Sequence, residues 1–94
     1  MNDKPLMNDT TARYFLSYSS VKLPLKLVNE ITEADLNYRN FYYRGYYDAA
    51  GQLLHCQKIV YNEVESEHHY RYDENGMLVW AQISEDDEVR EIDL

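Results

Sequence analysis

Hydrophobic and polar residues alternate along most of this chain with a period of two, which is the pattern of half-buried β-strands. The aromatic-rich segment 13–19 predicts a first strand, and the apolar odd positions of segment 21–27 predict a second. Because Pro24 has no amide hydrogen to donate to a neighbouring strand, we expect the second strand at a sheet edge, where Lys22 and Lys26 deter further pairing.

One short segment predicts a helix instead. Thr32 stands at an N-cap position and Asp35 follows three residues later. Within the segment 32–36, Glu33 is a second acidic residue in the first turn. We expect one or two helical turns there. The chain beyond this point predicts strands at about 39–48, 52–61, 65–73 and 77–83, a turn over 84–88 and a last strand at 89–93.

A seven-residue pattern, Tyr-Asp-x-x-Gly-x-Leu, occurs at 47–53 and again at 72–78, 25 residues later. The aspartate favours a type I turn because its side chain hydrogen-bonds to the backbone that follows. The glycine accepts the left-handed conformation that closes a bulged hairpin. The repeat therefore predicts two hairpins in which the tyrosine of each copy faces its leucine across the strands.

These elements predict a mainly β fold (α+β at most), a single antiparallel β-meander with an N-terminal hairpin and one short helix packed on it. We expect residues 13–94 to form this domain and the polar, aperiodic residues 1–12 to form a disordered tail. The expected core is a face rich in tyrosine and leucine that comprises Tyr43, Tyr47, Leu53, Ile59, Tyr70, Tyr72, Leu78 and Trp80.

Three segments resemble a family of small bacterial proteins of unknown function: RYFLSY at 13–18, VKLPLKLVN at 21–29, and YNEVE at 61–65 with its continuation through 70–76. The resemblance spans residues 13 to about 80 and implies a bacterial cytoplasmic protein, but no activity, cofactor or catalytic residue. The repeated heptapeptide also resembles the YD-repeat unit of large bacterial surface and toxin proteins. Two copies are too few for the shell that such repeats build, so this likeness implies shared hairpin chemistry alone.

Composition narrows the class of protein. The 94 residues make one small domain, and three Gly, two Pro and the single Cys56 exclude collagen-like, low-complexity and disulfide-stapled chains. No apolar run approaches the roughly 18 residues that a membrane helix needs. The first residues also lack the apolar run of a secretory signal, so we expect a cytoplasmic protein with no membrane partner.

The net charge of −8 is distributed unevenly. Residues 1–62 contain seven basic and six acidic side chains, whereas residues 63–94 contain two basic and eleven acidic ones. An acidic end of this kind keeps a small protein in solution, or it steers the protein towards a basic partner. Direct nucleic-acid binding is disfavoured in either case because phosphates would meet a repelling half.

The nitrogen and sulfur ligands that a metal could use are His55, Cys56, His68 and His69. Adjacent residues on a strand point to opposite faces, so one face can offer two of these ligands, or three with a carboxylate such as Glu67. A structural zinc site needs four ligands. We therefore expect no metal and no cofactor, and we interpret the cysteine as a buried thiol. Nothing supplies a recognisable oxyanion hole, so we expect a protein that is not an enzyme.

Alternation is clearest over residues 63–73. One face would carry Glu63, Glu65, Glu67, His69, Arg71 and Asp73, and the other Val64, Ser66, His68, Tyr70 and Tyr72. This acidic face could serve calcium or a basic partner, or it could simply be solvated. Calcium requires six to eight converging oxygens, which a flat strand does not provide, so we favour the solvated face.

Segment 37–47 (NYRNFYYRGYY) has the opposite character, with five tyrosines, two arginines and no acid. Strand alternation puts Phe41, Tyr43 and Tyr47 on one face and Tyr42, Arg44 and Tyr46 on the other. One face must be core, and the other is covered either by residues 13–36 or by a partner. We take Tyr42, Arg44 and Tyr46 as the candidate binding residues for a protein partner or for a second copy in a homodimer.

Three classes of function remain. The first is a non-catalytic protein–protein interaction module. The second is an acidic inhibitor of a nucleic-acid enzyme, of the immunity or anti-defence type, which would need carboxylates at phosphate-like spacing on one surface. The third is an enzyme or a small-ligand binder, which would need a concave pocket that gathers His68 with tyrosine hydroxyls, and the sequence has no motif for it.

Overall fold

The computed structural model describes residues 10–20 and 22–94, and these form one antiparallel sheet of seven strands in the order β2-β1-β3-β4-β5-β6-β7. β1 lies between β2 and β3, and from β4 onward each strand pairs with the strand before it, so the predicted mainly β meander is confirmed. The strands are β1 (Thr11–Tyr18), β2 (Leu27–Ile31), β3 (Phe41–Tyr47), β4 (Leu53–Val60), β5 (Glu63–Tyr72), β6 (Leu78–Glu85) and β7 (Glu88–Asp93).

The N-terminal elements differ from the prediction in their boundaries. β1 begins at Thr11, two residues earlier than expected, and residues 1–9 of the expected tail lie outside the described part of the chain. The predicted helix is a 3-10 helix at Glu33–Tyr38. Its start is fixed by the Asp35 carboxylate, which accepts hydrogen bonds from the Thr32 amide at 3.1 Å and the Thr32 hydroxyl at 3.0 Å.

Both copies of the repeated heptapeptide form the same turn. The Asp48 carboxylate accepts hydrogen bonds from the amides two and four residues ahead, each at 2.9 Å. The Asp73 carboxylate does the same at 2.8 and 2.9 Å. Gly51 and Gly76 have φ values of 87° and 84°, which confirms the predicted left-handed positions.

The opposite end of the sheet uses a different turn, again twice. Tyr61 and Asn62 connect β4 to β5, and both have positive φ, at 50° and 67°. Asp86 and Asp87 connect β6 to β7 with φ values of 48° and 67°. Two consecutive left-handed residues are typical of the type I′ turn that fits the twist of a tight hairpin. These turns are also 25 residues apart, so the periodicity extends beyond the heptapeptide.

Cross-strand pairing assigns side chains to two faces of the sheet. We call inner face the one that carries Phe15, Tyr43, Cys56, Tyr70 and Ala81, and outer face the one that carries Tyr42, Arg44, Tyr46, His55 and Glu67. The predicted separation of Tyr42, Arg44 and Tyr46 from Tyr43 is thereby confirmed.

The second strand lies at the sheet edge as predicted, but its predicted span over 21–27 is wrong. Of its described residues, Leu27 alone lies in a strand, and the remainder belongs to a loop over residues 19–26; Val21 lies outside the described residues. The Ser19 amide donates to the Lys26 carbonyl at 2.9 Å and the Ser20 hydroxyl accepts from the Lys26 amide at 2.9 Å, so the chain closes on itself instead of forming a ladder.

This loop covers the inner face. Leu23 and Leu25 pack against the buried cluster, of which Leu27 is itself a member, so the alternation of apolar residues here marks a covering loop and not a strand. The Leu25 amide also donates to the Tyr70 hydroxyl at 3.1 Å, which holds the loop to β5. Burial of leucine side chains against the sheet is the main source of stability for this arrangement.

Two of the expected core residues lie on the wrong side of the sheet. The buried cluster is Phe15, Leu27, Leu53, Cys56, Tyr70 and Ala81, with Tyr43, Tyr47, Tyr72 and Leu78 packed against it as expected. Ile59 is buried but pairs with Tyr42 on the outer face, and Trp80 pairs with Arg71 there. Register shifts beside the two heptapeptide turns insert one extra residue in β4 and one in β6, and each insertion inverts the alternation that follows.

We expect Gly51→Val to lower the free energy of unfolding by about 1–3 kcal/mol, because valine is strained at a φ of 87°. A Cβ at this position meets no atom within 4 Å, so the loss would come from backbone strain alone. Gly51→Asn is the matched control and should lose less, since asparagine tolerates the left-handed region. Urea denaturation measures all three proteins, and equal stability of the valine variant and wild type would contradict the turn assignment.

Candidate functional site

A line of polar and aromatic side chains crosses the outer face perpendicular to the strands. Successive cross-strand pairs run from Tyr46 to His55, His69, Gln82 and Glu91, from β3 to β7. Directly opposed residues on antiparallel strands have Cβ atoms about 4.5–5.5 Å apart, so neighbouring side chains in this line touch. The described part of the outer face therefore presents a continuous polar row.

The aromatic members of this row are stacked. The Tyr46 ring lies 5.1 Å from the His55 ring with an angle of 20° between planes, and the His55 ring lies 4.0 Å from the His69 ring at 16°. The Arg44 guanidinium lies 5.9 Å from the centre of the Tyr46 ring. Partial burial, and next the nearby His55, lower the pKa of His69, so its imidazole is neutral at pH 7.

A second row runs beside the first and is joined by hydrogen bonds. Arg44 Nε donates to Gln57 Oε1 at 2.9 Å, and Gln57 Nε2 donates to Glu67 Oε2 at 2.9 Å. The same Glu67 oxygen lies 2.8 Å from His55 Nε2, which must donate because an ionised carboxylate only accepts. The Gln57 hydrogen bond, followed by those of His55, lowers the pKa of Glu67 and keeps it ionised.

The predicted binding residues divide between these rows and the interior. Tyr42 is 8% exposed, pairs with Ile59 and meets the Tyr14 ring edge-on at 6.1 Å, so it offers almost no surface to a partner. Arg44 and Tyr46 are half-buried members of the rows described above. All three therefore lie on the face that alternation assigned to them, but Tyr42 is part of the core.

Sequence reasoning missed Gln57 and Trp80 as members of this surface. Gln57 follows His55 by two residues and so shares its face. The alternation along this strand therefore indicates the position of Gln57 from the sequence alone. Trp80 was assigned to the core; it instead stacks against the Arg71 guanidinium at 4.3 Å, with its indole nitrogen 3.4 Å from Glu91 Oε1. The face of Trp80 depends on the extra residue in β6 and could not be inferred from strict alternation.

The acidic alternation predicted for β5 holds over part of the strand. Glu67, His69 and Arg71 lie on the outer face, but a register shift places Val64 opposite Ile59 there as well. The Glu65 carboxylate forms an ion pair with Lys58 at 3.0 Å. Glu65 and Glu67 are bonded to other side chains of the sheet, so they do not form the row of free carboxylates that a calcium site would require.

Cys56 and His68 oppose each other on the inner face, away from His55 and His69. Burial raises the pKa of the Cys56 thiol to about 12, and 2% of the residue is exposed. His68 Nδ1 is hydrogen-bonded to the Tyr70 hydroxyl at 2.6 Å. A reactive cysteine needs a lowered pKa and access to solvent, so this thiol has the properties of a structural residue.

The sheet has several concave regions, of which two bear on the predicted functions. A cavity of about 280 Å³ lies between the covering loop and the inner face, lined in part by Tyr18, Tyr43, Lys58, His68 and Arg90. A shallow cleft of about 400 Å³ lies at the end of β5, β6 and β7 and is lined in part by Glu65, Glu67, Glu85, Asp86, Asp87 and Glu88. The lining of the first combines tyrosine side chains with a histidine, and the lining of the second is strongly acidic.

Comparison with known proteins gives one match. A family model described as "Family of unknown function (DUF6156)" matches residues 7–94. No curated protein and no solved structure matches the chain. Among the described residues, no helix has the length and apolar character needed to cross a membrane.

We expect the free energy of unfolding to fall as the pH rises from 9 towards 12. The folded pKa of Cys56, about 12, lies above the ordinary value of 9.0, so the unfolded chain loses this proton first. Its stabilising contribution is complete below pH 9 and disappears as the pH approaches the folded value. Urea denaturation across this range should show a shallower decline for Cys56→Ala than for wild type. Equal slopes would contradict the buried-thiol assignment.

Proposed function

Since the chain belongs to the family of unknown function DUF6156, we propose its function from the geometry of its outer face: it is a cytoplasmic, non-catalytic module that binds another protein. The observation that carries this proposal is the interlocked row of half-buried aromatic, histidine and arginine side chains across the open sheet. Interface energy is concentrated in such residues, with tyrosine, tryptophan and arginine enriched among them.

Pre-organisation supports a binding role for this face. Arg44 is held by Gln57, Tyr46 by the His55 ring, and Trp80 by the Arg71 guanidinium. Side chains that are ordered before binding lose less conformational freedom when a partner arrives, which leaves more of the contact energy as affinity.

Charge favours a partner with a basic surface. The outer face ends at Glu91 and Asp93 on the edge strand β7, and the acidic cleft lies at the β6–β7 turn, where this strand begins. A field of this sign accelerates encounter with a positively charged protein and is screened over about 8 Å at physiological ionic strength. An enzyme that binds nucleic acid is one protein with such a surface, so the inhibitor class is a special case of this proposal.

The test places a photo-crosslinking amino acid at position 82, within the row, and in a second protein at position 38, whose tyrosine is 88% exposed and lies off the sheet. Mass spectrometry identifies proteins captured at 82 but not at 38, and titration calorimetry with the purified partner measures affinity. We expect Arg44→Ser with Tyr46→Ser to weaken binding at least about tenfold. Tyr38→Ser, the matched control, should leave it unchanged.

Three results would contradict the proposal. One is capture at position 38 as readily as at 82, and another is an affinity that the double substitution does not change. The third is a protein that sediments as a monomer and yields no specific crosslink. A crosslink between two copies of the chain, with a dimer in sedimentation that the double substitution dissociates, would identify a homodimer as the assembly.

The inner-face cavity favours a second candidate function, the binding of a small anionic ligand. Tyr18 and Tyr43 meet edge-on at 5.6 Å on one side, and the cavity also contains Lys58, His68 and Arg90. Arg90 and Lys58, which also pairs with Glu65, outnumber Glu85, the one carboxylate of the lining, so the cavity suits a carboxylate or phosphate on a compact organic molecule.

Screening a panel of small carboxylates and phosphates by two-dimensional NMR tests this second function. A true ligand should shift the resonances of Tyr43 and His68 in a saturable way, and Arg90→Gln should weaken its binding several-fold. Arg39→Gln, an exposed arginine away from the cavity, is the control. Absence of saturable shifts throughout the panel at millimolar concentration would reject it.

A further inference from the structure

We propose that His55, Glu67 and His69 form a binding site for a divalent transition-metal ion of the Zn²⁺ type. Their ligand atoms all lie within 4.8 Å of one another on the outer face. This inference does not rest on the protein-binding function, because it concerns the isolated chain. It also replaces the expectation of no metal drawn from the sequence, which had counted this same three-ligand set as insufficient.

The sheet register brings the three ligands together. His55 and His69 are direct cross-strand partners in β4 and β5, and Glu67 precedes His69 by two residues and so shares its face. Two imidazoles with one carboxylate are a donor set used by zinc, iron, copper and nickel sites, whereas calcium and magnesium prefer oxygen alone. The chemistry of the ligands therefore selects the class of ion.

Small side-chain movements suffice for coordination. Tetrahedral ligands at zinc distances of about 2.1 Å lie roughly 3.4 Å from one another. His55 Nε2 and Glu67 Oε2 are 2.8 Å apart, and their side chains are 24% and 31% exposed. The stacked His69 ring must turn about its Cβ–Cγ bond so that its nitrogen points towards the same centre, a rotation that a half-exposed side chain can make.

The surroundings resemble the outer shell of a metal site. Gln57 donates to the Glu67 carboxylate and is itself held by Arg44, while Tyr46 stacks on His55. Partners of this kind fix the orientation of ligands and are typical of metal centres. The ion would take the place of the proton shared by His55 and Glu67, and three protein ligands would leave a coordination position open towards solvent.

Isothermal titration of the chelator-treated chain with zinc sulfate tests the proposal. We expect one Zn²⁺ per chain and an affinity at least about tenfold weaker in both His69→Gln and Glu67→Gln. His68→Gln is the matched control, since it removes a neighbouring histidine from the inner face. Calcium chloride should produce no saturable binding that depends on Glu67.

NMR of the histidine side chains gives a readout that needs no substitution. Zinc should shift the ring resonances of His55 and His69 and leave those of His68 in place. Circular dichroism establishes whether each variant is folded. If His69→Gln does not fold, the near-isosteric Glu67→Gln still provides the test.

The proposal is overturned by the absence of saturable zinc binding up to millimolar concentration. It is also overturned by 1:1 binding that survives both His69→Gln and Glu67→Gln, which would place the ion at another site, or by shifts at His68 in place of His55. Because these measurements use no partner protein, their failure leaves the crosslinking test of the protein-binding function intact.

Discussion

A single antiparallel sheet can bury one of its faces only if another part of the chain covers it, and the loop over residues 19–26 provides that cover. Its leucines supply the apolar layer that a helix or a second sheet supplies in larger domains. Leu27, the first residue of β2 after this loop, reaches the inner face because Gly45 leaves room for it: a Cβ there would lie 2.7 Å from Leu27 Cδ1. The close approach of Leu27 to β3 thus depends on the absence of one methyl group.

A different principle holds along the two polar rows that cross the outer face. The side chains of these rows interact with one another across neighbouring strands. Stacked rings join some of them, and hydrogen bonds join Arg44, Gln57, Glu67 and His55. A network of this kind orders the surface without burying it deeply. The same pairs that stabilise the face therefore also prepare it to contact a protein or an ion.

Local chemistry made the hairpins predictable from the sequence, because Asp48, Gly51 and their counterparts 25 residues later act within five residues of one another. The covering loop was not predictable, since its alternating leucines imitate a strand until the position of β5 is known. Strict alternation assigns Ile59 and Trp80 to the wrong face. Leu54 and Val79 are extra residues in their strands, and they move the side chains that follow to the opposite face. The contact of His55 with Glu67 likewise depends on cross-strand register, which periodicity alone does not fix.

The 25-residue spacing of both kinds of turn also bears on how this sheet can change its width during evolution. One period carries a complete hairpin, including its extra residue, so Cys56 and Ala81 fall on the same face, as do His55 and Trp80. Duplication or deletion of a whole period keeps every later side chain on its original face of the sheet. Insertion of a single residue within a strand moves every side chain after it to the opposite face, which places polar groups in the apolar layer. Lineages that widen or narrow this sheet are therefore expected to do so by entire hairpins.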